Sequence, residues 1–136
     1  MSRTPHELRN PEELAPPKGY THVVIATPGR AVYLGGQTAH GPDGRLRGRT
    51  SVEQFGSAAA NVATALAAAG AGPEHLVSVL IYVTDMAEYR ASRKEIGEAW
   101  RRHLGSHYPA VSLFEVSSLL DPEAKVELVA TAIVPS

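Results

Sequence analysis

The chain of 136 residues is long enough for one domain with a single hydrophobic core and short for two. Its 43% hydrophobic and 20% charged residues are typical of a folded protein and exclude a disordered one. A formal net charge of −1 gives no general electrostatic basis for binding nucleic acid. The absence of cysteine excludes disulfides, a thiol nucleophile and thiolate metal centres.

The first 19 residues predict an extended arm and no regular element, because they contain four prolines and no hydrophobic periodicity. They also lack the apolar region of a secretory signal, and no stretch of the chain approaches the ~20 apolar residues of a membrane span. We therefore expect a cytoplasmic protein with an arm at 1–19 and one domain at 20–136.

Residues 22–26 and 31–34 are apolar and rich in β-branched side chains, and the turn sequence Thr27-Pro28-Gly29-Arg30 separates them. This pattern predicts a β-hairpin. Gly35 and Gly36 follow at the strand end, where paired glycines indicate a bulge or a close backbone approach. The next segment, 40–49, predicts a surface loop. Its arginines at 45, 47 and 49 are better explained by solvation than by phosphate contact.

Thr50 and Glu53 form a capping-box pattern, and apolar residues then recur every three or four positions up to residue 69, which predicts a first helix. Residues 76–83 predict a buried central strand. Asp85 and Glu88 predict the start of a second helix that ends near Gly105, and strands follow at 110–116 and 125–134. The order β-β-α-β-α-β-β predicts an α+β fold with two helices packed on one face of a mixed sheet.

The last strand, 125–134, has mostly apolar side chains on both of its faces. Two helices can cover only one face of such a sheet, and the chain has no third layer. Another subunit is therefore the predicted cover for the second face.

Standard phosphate-loop, dinucleotide, zinc-protease and serine-hydrolase motifs are absent from the sequence. His103 and His107 have the spacing of metal ligands, but Gly105 between them is expected to end the helix. We predict no metal site and no cofactor.

Arg93 occupies a position in the apolar stripe of the second helix, and Glu127 shares a strand face with Val129, Thr131 and Ile133. Arg93 either lies at the edge of the stripe or points its guanidinium into an inter-subunit cleft that binds a carboxylate. Glu127 is either exposed at a sheet edge or partly buried and suited to acid–base catalysis. Both pairs of alternatives stay open.

Three tyrosines, at positions 20, 33 and 82, are candidates for the aromatic walls of a pocket or for core residues with a satisfied hydroxyl group.

The sequence resembles the RidA/YjgF family, whose members have also been called endoribonuclease L-PSP. The resemblance covers nearly the whole chain in the right order and rests on these segments: Leu14-Ala15-Pro16-Pro17-Lys18-Gly19-Tyr20, Gly36-Gln37, Asn61-Val62, Val83-Thr84-Asp85, Tyr108-Pro109-Ala110 and Lys125-Val126-Glu127-Leu128.

The resemblance implies a homotrimer of chorismate-mutase-like α+β subunits, with the sheets forming an inner barrel, the helices outside and ligand clefts between neighbouring subunits. It implies hydrolysis of reactive enamines and imines to keto acids and ammonia without a cofactor. In that chemistry, an arginine in a Pro-Ala-Arg-Ser motif binds the substrate carboxylate, and a glutamate on the last strand positions the attacking water.

By this resemblance, Glu127 matches the water-positioning glutamate. Tyr20 and Gly36 match positions that line the cleft, and Gly35 stands where many members have serine. Glu127, Tyr20 and Gly36 therefore agree with the family pattern, whereas Gly35 departs from it.

The carboxylate anchor departs from that pattern, because the chain reads Pro-Ala-Val-Ser with Val111 in place of the arginine and Ser112 after it. Arg93 falls at a position that is usually asparagine. We hypothesise that Arg93 replaces the missing cation from the opposite wall of the cleft.

The residues and the resemblance together give three alternative functions. The first is a homotrimer that binds a small carboxylate-bearing metabolite and hydrolyses imines or enamines with Glu127 as the base. The second is a non-catalytic metabolite-binding or pathway accessory protein that has lost deaminase activity, which Val111 favours. The third, an endoribonuclease, is disfavoured by the charge balance. No membrane partner is expected.

Overall fold

A computed structural model describes residues 3–136 as a four-stranded sheet with helices packed on one face. The elements in chain order are β1 (Glu7–Arg9), β2 (Val23–Ile25), β3 (Gly29–Tyr33), α1 (Ser51–Ala68), β4 (Leu76–Val83), α2 (Met86–Ala91), α3 (Arg93–Leu104), β5 (Ala110–Glu115) and β6 (Val126–Pro135). A single 3-10 turn at Pro73–His75 leads into β4. No helix in this part of the chain is long and apolar enough to cross a membrane.

The four-stranded sheet has the order β3-β6-β4-β5 and is mixed, as predicted. β4 pairs antiparallel with β6 and parallel with β5, and β6 pairs antiparallel with β3. A parallel pair needs a crossover connection, which α2 and α3 supply between β4 and β5. β5 is an edge strand of this sheet.

The predicted capping box at the start of α1 is confirmed. The Thr50 hydroxyl accepts a hydrogen bond from the Glu53 N–H at 3.1 Å, and the Glu53 carboxylate accepts from the Thr50 N–H at 3.1 Å. Hydrogen bonds from the backbone N–H groups of Arg49 and Thr50 lower the pKa of Glu53. The apolar stripe of α1, including Phe55 and Leu66, is buried against the sheet.

The second predicted helix is divided at Ser92 into α2 and α3. Asp85 caps α2 as predicted, by accepting from the Glu88 N–H at 3.0 Å, and α3 ends at Gly105 with φ of 74°. At Ser92 the N–H bonds to the Tyr89 carbonyl, three residues back, at 3.1 Å. The apolar stripe continues across this tightened turn, so its periodicity does not reveal the break.

The predicted β-hairpin is wrong. β2 pairs with β1 in a separate two-stranded sheet, whereas β3 pairs with β6. The intervening turn bonds to the N-terminal segment: the Thr27 N–H donates to His6 Nδ1 at 3.1 Å, and its hydroxyl donates to the Pro5 carbonyl at 2.5 Å. Consequently, the predicted arm contains a strand at Glu7–Arg9 that its prolines had obscured, and its role as a separate unit stays a prediction.

The two faces of the four-stranded sheet differ in burial. Along β6, Val126 and Leu128 are fully buried beneath the helices, whereas Glu127 and Val129 on the other face are half-buried. Tyr33 on that second face is 80% exposed. The chain therefore leaves one face of its sheet uncovered, as the sequence predicts. The subunit that would cover this face stays a prediction.

The start of β6 is fixed by buried polar groups. Gln54 of α1 is only 1% exposed, its Oε1 accepts from the Lys125 N–H at 2.7 Å, and its Nε2 donates to the Glu123 carbonyl at 3.1 Å. The Lys125 ammonium donates to Glu88 at 2.7 Å and lowers the pKa of that carboxyl. Lys125, two residues before Glu127, is thus bonded to α1 through its backbone N–H and to α2 through its side chain.

Candidate functional site

A cavity of about 570 Å³ opens at the β5 edge of the sheet, between β5, α3 and residues 18–20. Segment 18–21 is held beside β5 because the Thr21 N–H donates to the Pro109 carbonyl at 3.0 Å and its hydroxyl donates to the Tyr108 carbonyl at 2.5 Å. Gly19 has φ of 76°, which lets the chain turn there at little conformational cost. Tyr20 is thereby placed in the cavity wall, and its role in a ligand cleft stays a prediction.

Arg93 is the first residue of α3 and lines this cavity. Arg93 is exposed, whereas Tyr89, one helical turn earlier, is half-buried in the same wall. Burial raises the pKa of the Tyr89 hydroxyl, and the neighbouring charge of Arg93 opposes that rise. Arg93 is therefore a cation at the open side of the cavity. The exposure of Arg93 agrees with the interpretation that it lies at the edge of the stripe, and its role in an inter-subunit cleft stays a prediction.

Val111 lies in the same cavity, on the face of β5 that packs against the helices. It pairs with the buried Val79, and Leu113, two residues on, pairs with the buried Ile81. Val111 and Leu113 therefore form an apolar wall, whereas the family pattern has a cation at position 111.

Glu127 lies on the opposite face of the sheet. Its cross-strand partner is Tyr82, which is three residues from Val79 on β4 and so points to the other side. The carboxylate of Glu127 packs directly against Gly36, where any β-carbon would overlap its Oε2 atom.

The close approach at Gly36 comes from the bulge that the paired glycines indicated. Tyr33 pairs with Thr131, and pairing resumes with reciprocal 2.8 Å hydrogen bonds between Gln37 and Leu128. Residues 34–36 thus stand opposite 129–130, one residue more on the first strand than on β6. The prediction of a bulge with close backbone approach is confirmed.

The remaining two predicted site residues, Gly35 and Ser112, do not line the cavity. Gly35 is exposed within the bulge, and its carbonyl accepts from the Gln37 side-chain amide at 3.2 Å. Ser112 is exposed on β5 and pairs with Leu80, which places it on the same sheet face as Glu127.

Within one chain, the predicted site is therefore divided into two groups. Tyr20, Arg93 and Val111 share the cavity on the helix side, whereas Gly36 and Glu127 touch on the other side of the sheet. The tyrosines at 33 and 82 do not line the cavity; Tyr82 stacks on Phe114 with ring centroids 5.6 Å apart.

Sequence reasoning missed most of the cavity's other walls: Lys18, Tyr89, Lys94, Trp100, Tyr108 and Leu113. A usable signal was present for two of them, because Tyr89 and Trp100 lie on the same helical stripe as Arg93. No sequence signal connects Lys18 or Tyr108 to that stripe, because only tertiary packing brings these segments to α3.

His103 and His107 do not form a metal-binding cluster, and residues 3–136 contain no group of three or more side chains that could hold a metal ion. His107 is buried, and its Nε2 bonds to the Leu76 carbonyl at 2.8 Å. Burial lowers the pKa of His107, which favours the neutral ring. Gly105 ends the helix between the two histidines, as predicted.

The arginine-rich loop is partly engaged in its own structure. The guanidinium of Arg47 packs against the backbone of Gly41, where a β-carbon would overlap it. The Arg49 N–H donates to the Glu53 carboxylate at 3.0 Å. Both contacts agree with the interpretation of this segment as a structural surface loop.

The fold and the cavity define a class: an α+β protein with a pocket at the edge of its sheet and a second, uncovered sheet face. The sequence profile of the Endoribonuclease L-PSP family matches residues 11–134, and the chain belongs to this family, which comprises the RidA/YjgF proteins.

Solved structures agree with this assignment. YyfB, a protein of the conserved Rid family from Yersinia pestis, superposes with a TM-score of 0.86 and 30% identity, over 95% of this chain and 98% of that chain. A Mycobacterium tuberculosis member of the YjgF/YER057c/UK114 family gives a TM-score of 0.63 and 32% identity, over 85% and 87% of the two chains. The mitochondrial protein MMF1 of Saccharomyces cerevisiae is 26% identical over 119 residues, 87% of this chain and 79% of that protein.

Proposed function

We propose that this protein is a homotrimer that binds a small carboxylate-bearing metabolite in clefts between subunits, with Arg93 as the carboxylate anchor. The observation that carries the proposal is the position of Arg93, a cation at the open side of a cavity that Tyr20 and Val111 also line. A guanidinium can hold a carboxylate through two parallel N–H···O bonds, so Arg93 supplies the charge that position 111 lacks.

The division of the site between two sheet faces supports a cleft made by two subunits. Arg93 and Glu127 of one chain are separated by the sheet itself, so a small ligand cannot contact both in the same subunit. We propose that a neighbouring copy places its β5 edge, where its own Arg93 lies, against the face of Glu127. Exposed aromatic side chains on that face, Tyr33 and Phe114, are suited to such an interface.

The chemistry that we propose for this cleft is hydrolysis of an imine or its enamine tautomer. Glu127 accepts a proton from water as the water oxygen bonds to the imine carbon, and this proton passes to the imine nitrogen to give a carbinolamine. The proton of the new hydroxyl group then moves to the nitrogen, the carbonyl forms and the carbon–nitrogen bond breaks. The products are a keto acid and ammonia. No electrons are transferred, so the reaction needs no cofactor.

A second candidate is a binding protein without catalysis, such as a metabolite sensor or pathway accessory protein. Val111 favours it, because the family's anchoring arginine is replaced by an apolar side chain. The family bears the name of an endoribonuclease, but a formal net charge of −1 favours a small ligand over RNA. We retain the cytoplasm as the predicted location, although the yeast relative is named as mitochondrial.

The test is an imine-hydrolysis assay. An amino-acid oxidase generates 2-iminopropionate and larger imines in place, and semicarbazide traps whatever the protein has not hydrolysed. The native protein is compared with Glu127→Gln, Arg93→Ala and Val111→Arg, and with Arg102→Ala as the matched control, an exposed arginine of α3 outside the cavity. The mass of the assembly is measured in parallel, and a trimer has about three times the 14.5 kDa chain mass.

We expect faster loss of imine with the native protein, no acceleration with Glu127→Gln, and a roughly 10- to 100-fold reduction with Arg93→Ala. A native protein without activity that gains it through Val111→Arg would instead favour the binding function. Equal activity of Arg93→Ala and Arg102→Ala would refute Arg93 as the anchor.

A further inference from the structure

We infer that the ligand of this cavity is an aromatic carboxylate, the imino or keto acid of an aromatic amino acid, instead of a three- or four-carbon acid. The inference rests on the proposed function and specifies its substrate class. Four observations carry it: the rings in the walls, the size of the cavity, the apolar face of β5 and the position of the cations.

Aromatic rings surround the cavity: Tyr20, Tyr89, Trp100 and Tyr108. Trp100 and Tyr108 are stacked with ring centroids 5.9 Å apart and an interplanar angle of 18°. The indole is held in this orientation because its N–H donates to the His107 carbonyl at 3.3 Å. Trp100 is 5% exposed and Tyr108 is half-buried, so the stack fixes the Tyr108 ring in advance and offers a flat apolar ligand a wall that needs little further ordering.

The cavity is large for a small metabolite. A volume of about 570 Å³ falls within the range of about 300–1,000 Å³ that is usual for pockets which bury drug-sized ligands. A three-carbon acid held by Arg93 would leave most of the apolar wall in contact with water. A ligand with a ring would fill that space and remove the wall from water.

The face of β5 that borders the cavity is apolar at both residues that line it. Val111 and Leu113 both point to it and make it continuous with the buried Ile81. A cation at position 111, as in the family pattern, would interrupt this surface. Its replacement by valine removes a charge and adds apolar area at the same point.

The cations lie at the opening. Arg93, Lys94 and Lys18 are exposed, whereas Trp100 and Phe55 of the same wall are buried. None of the described residues that line this cavity is acidic. The arrangement therefore matches a ligand with an apolar ring at one end and a carboxylate at the other.

The test uses three matched probes: 3-phenylpropionate, propionate and 3-phenylpropan-1-ol. Trp100 is the only tryptophan in the chain, so fluorescence excited at long wavelength reports directly on the cavity wall. Each probe is titrated into the assembled native protein and into Arg93→Ala, Leu113→Ser and the control Arg102→Ala.

We expect 3-phenylpropionate to bind roughly 10- to 100-fold more tightly than propionate, because a buried ring removes a large apolar area from water. Arg93→Ala should weaken both acids, and the alcohol should bind weakly to every variant. Leu113→Ser should weaken 3-phenylpropionate while leaving propionate unchanged. Leu113 is 37% exposed, so this substitution is compatible with folding.

The titrations separate failure of this inference from failure of the proposed function. Equal affinity for the two acids, with both lost in Arg93→Ala, would overturn the aromatic specificity and leave the proposed function standing. Binding of the alcohol as tightly as the aromatic acid would overturn the carboxylate part of the inference. Failure of both acids to bind would refute the proposed function and this inference with it.

Discussion

Replacement of Gln54 by leucine should destabilise the protein strongly, although the two side chains are similar in size. Gln54 is 1% exposed, and its amide joins α1 to the segment that precedes β6. Oε1 accepts from the Lys125 N–H at 2.7 Å, and Nε2 donates to the carbonyls of Glu123 at 3.1 Å and Gly48 at 3.4 Å. Leucine can make none of these bonds.

The magnitude follows from the groups left without a partner. A buried N–H or carbonyl that loses its hydrogen bond costs about 1–3 kcal/mol, and the short bond to Lys125 is the largest loss. The greater hydrophobicity of leucine offsets about 1 kcal/mol of the total. We expect a net loss of about 3 kcal/mol in the free energy of unfolding, which for a domain of this size lowers Tm by roughly 10 °C.

The assay is thermal or urea unfolding at fixed protomer concentration, because assembly makes the apparent stability depend on concentration. Gln37→Leu is the matched control: its amide makes one exposed hydrogen bond, to the Gly35 carbonyl at 3.2 Å, and should change stability by less than about 0.5 kcal/mol. Equal effects of Gln54→Leu and Gln37→Leu would refute the conclusion that buried amide bonds fix the start of β6.

Three further predictions concern the site and the response to pH. Gly36→Ala should displace the Glu127 carboxylate by about 1 Å or more and reduce imine hydrolysis roughly 100-fold without a large change in Tm, because the new β-carbon overlaps only the end of a flexible side chain. The pKa of His107 is lowered by burial, so the unfolded chain binds its proton more readily; the free energy of unfolding should fall as pH drops below 6.5, and His107→Gln should reduce this slope. The pKa of Glu88 is lowered chiefly by its bond to Lys125, so Glu88→Gln should cost about 1 kcal/mol at pH 7 in urea unfolding. That difference should disappear as pH falls below 4.5 through the folded-state pKa.

Each of these predictions has a contradicting outcome. A β-carbon at Gly35 meets nothing within 4 Å, so a crystal structure in which Gly35→Ala moves Glu127 as far as Gly36→Ala does would contradict the steric argument. An unchanged pH slope in His107→Gln would show that other groups cause the loss of stability in acid. A deficit of Glu88→Gln that does not shrink at all as pH falls from 7 to below 4.5 would show that its origin is packing and not charge.

Features that depend on neighbouring residues could be read from the sequence. The capping box at Thr50, the helix end at Gly105 and the bulge at Gly36 are each set by side chains or a glycine within a few positions. The resemblance to the RidA/YjgF family identified Glu127 and the substitution at Val111 in the same way, from short segments. Arg93 was singled out because it interrupts an apolar stripe, which is again a local pattern.

Strand pairing was decided by contacts that no local pattern encodes. β2 and β3 look like a hairpin, because each has strand propensity and a turn joins them. The turn instead bonds to the N-terminal segment, and β3 pairs with β6, about 100 residues later in the chain. Propensity states that a segment is extended, whereas its partner is chosen by the burial and hydrogen bonding of the whole fold.

The sequence alone determined the α+β class, the family and, to within a residue or so, the boundaries of α1, and it singled out Arg93, Val111 and Glu127 as candidate site residues. Only the tertiary structure decided that Arg93 and Val111 share a ring-lined cavity while Glu127 lies across the sheet against Gly36. The reason is physical. The type of a residue and its place in a local hydrophobic pattern can be read directly from the chain. The face of the sheet that it occupies, and the distant segments that complete its surroundings, follow from pairing register and packing across the molecule.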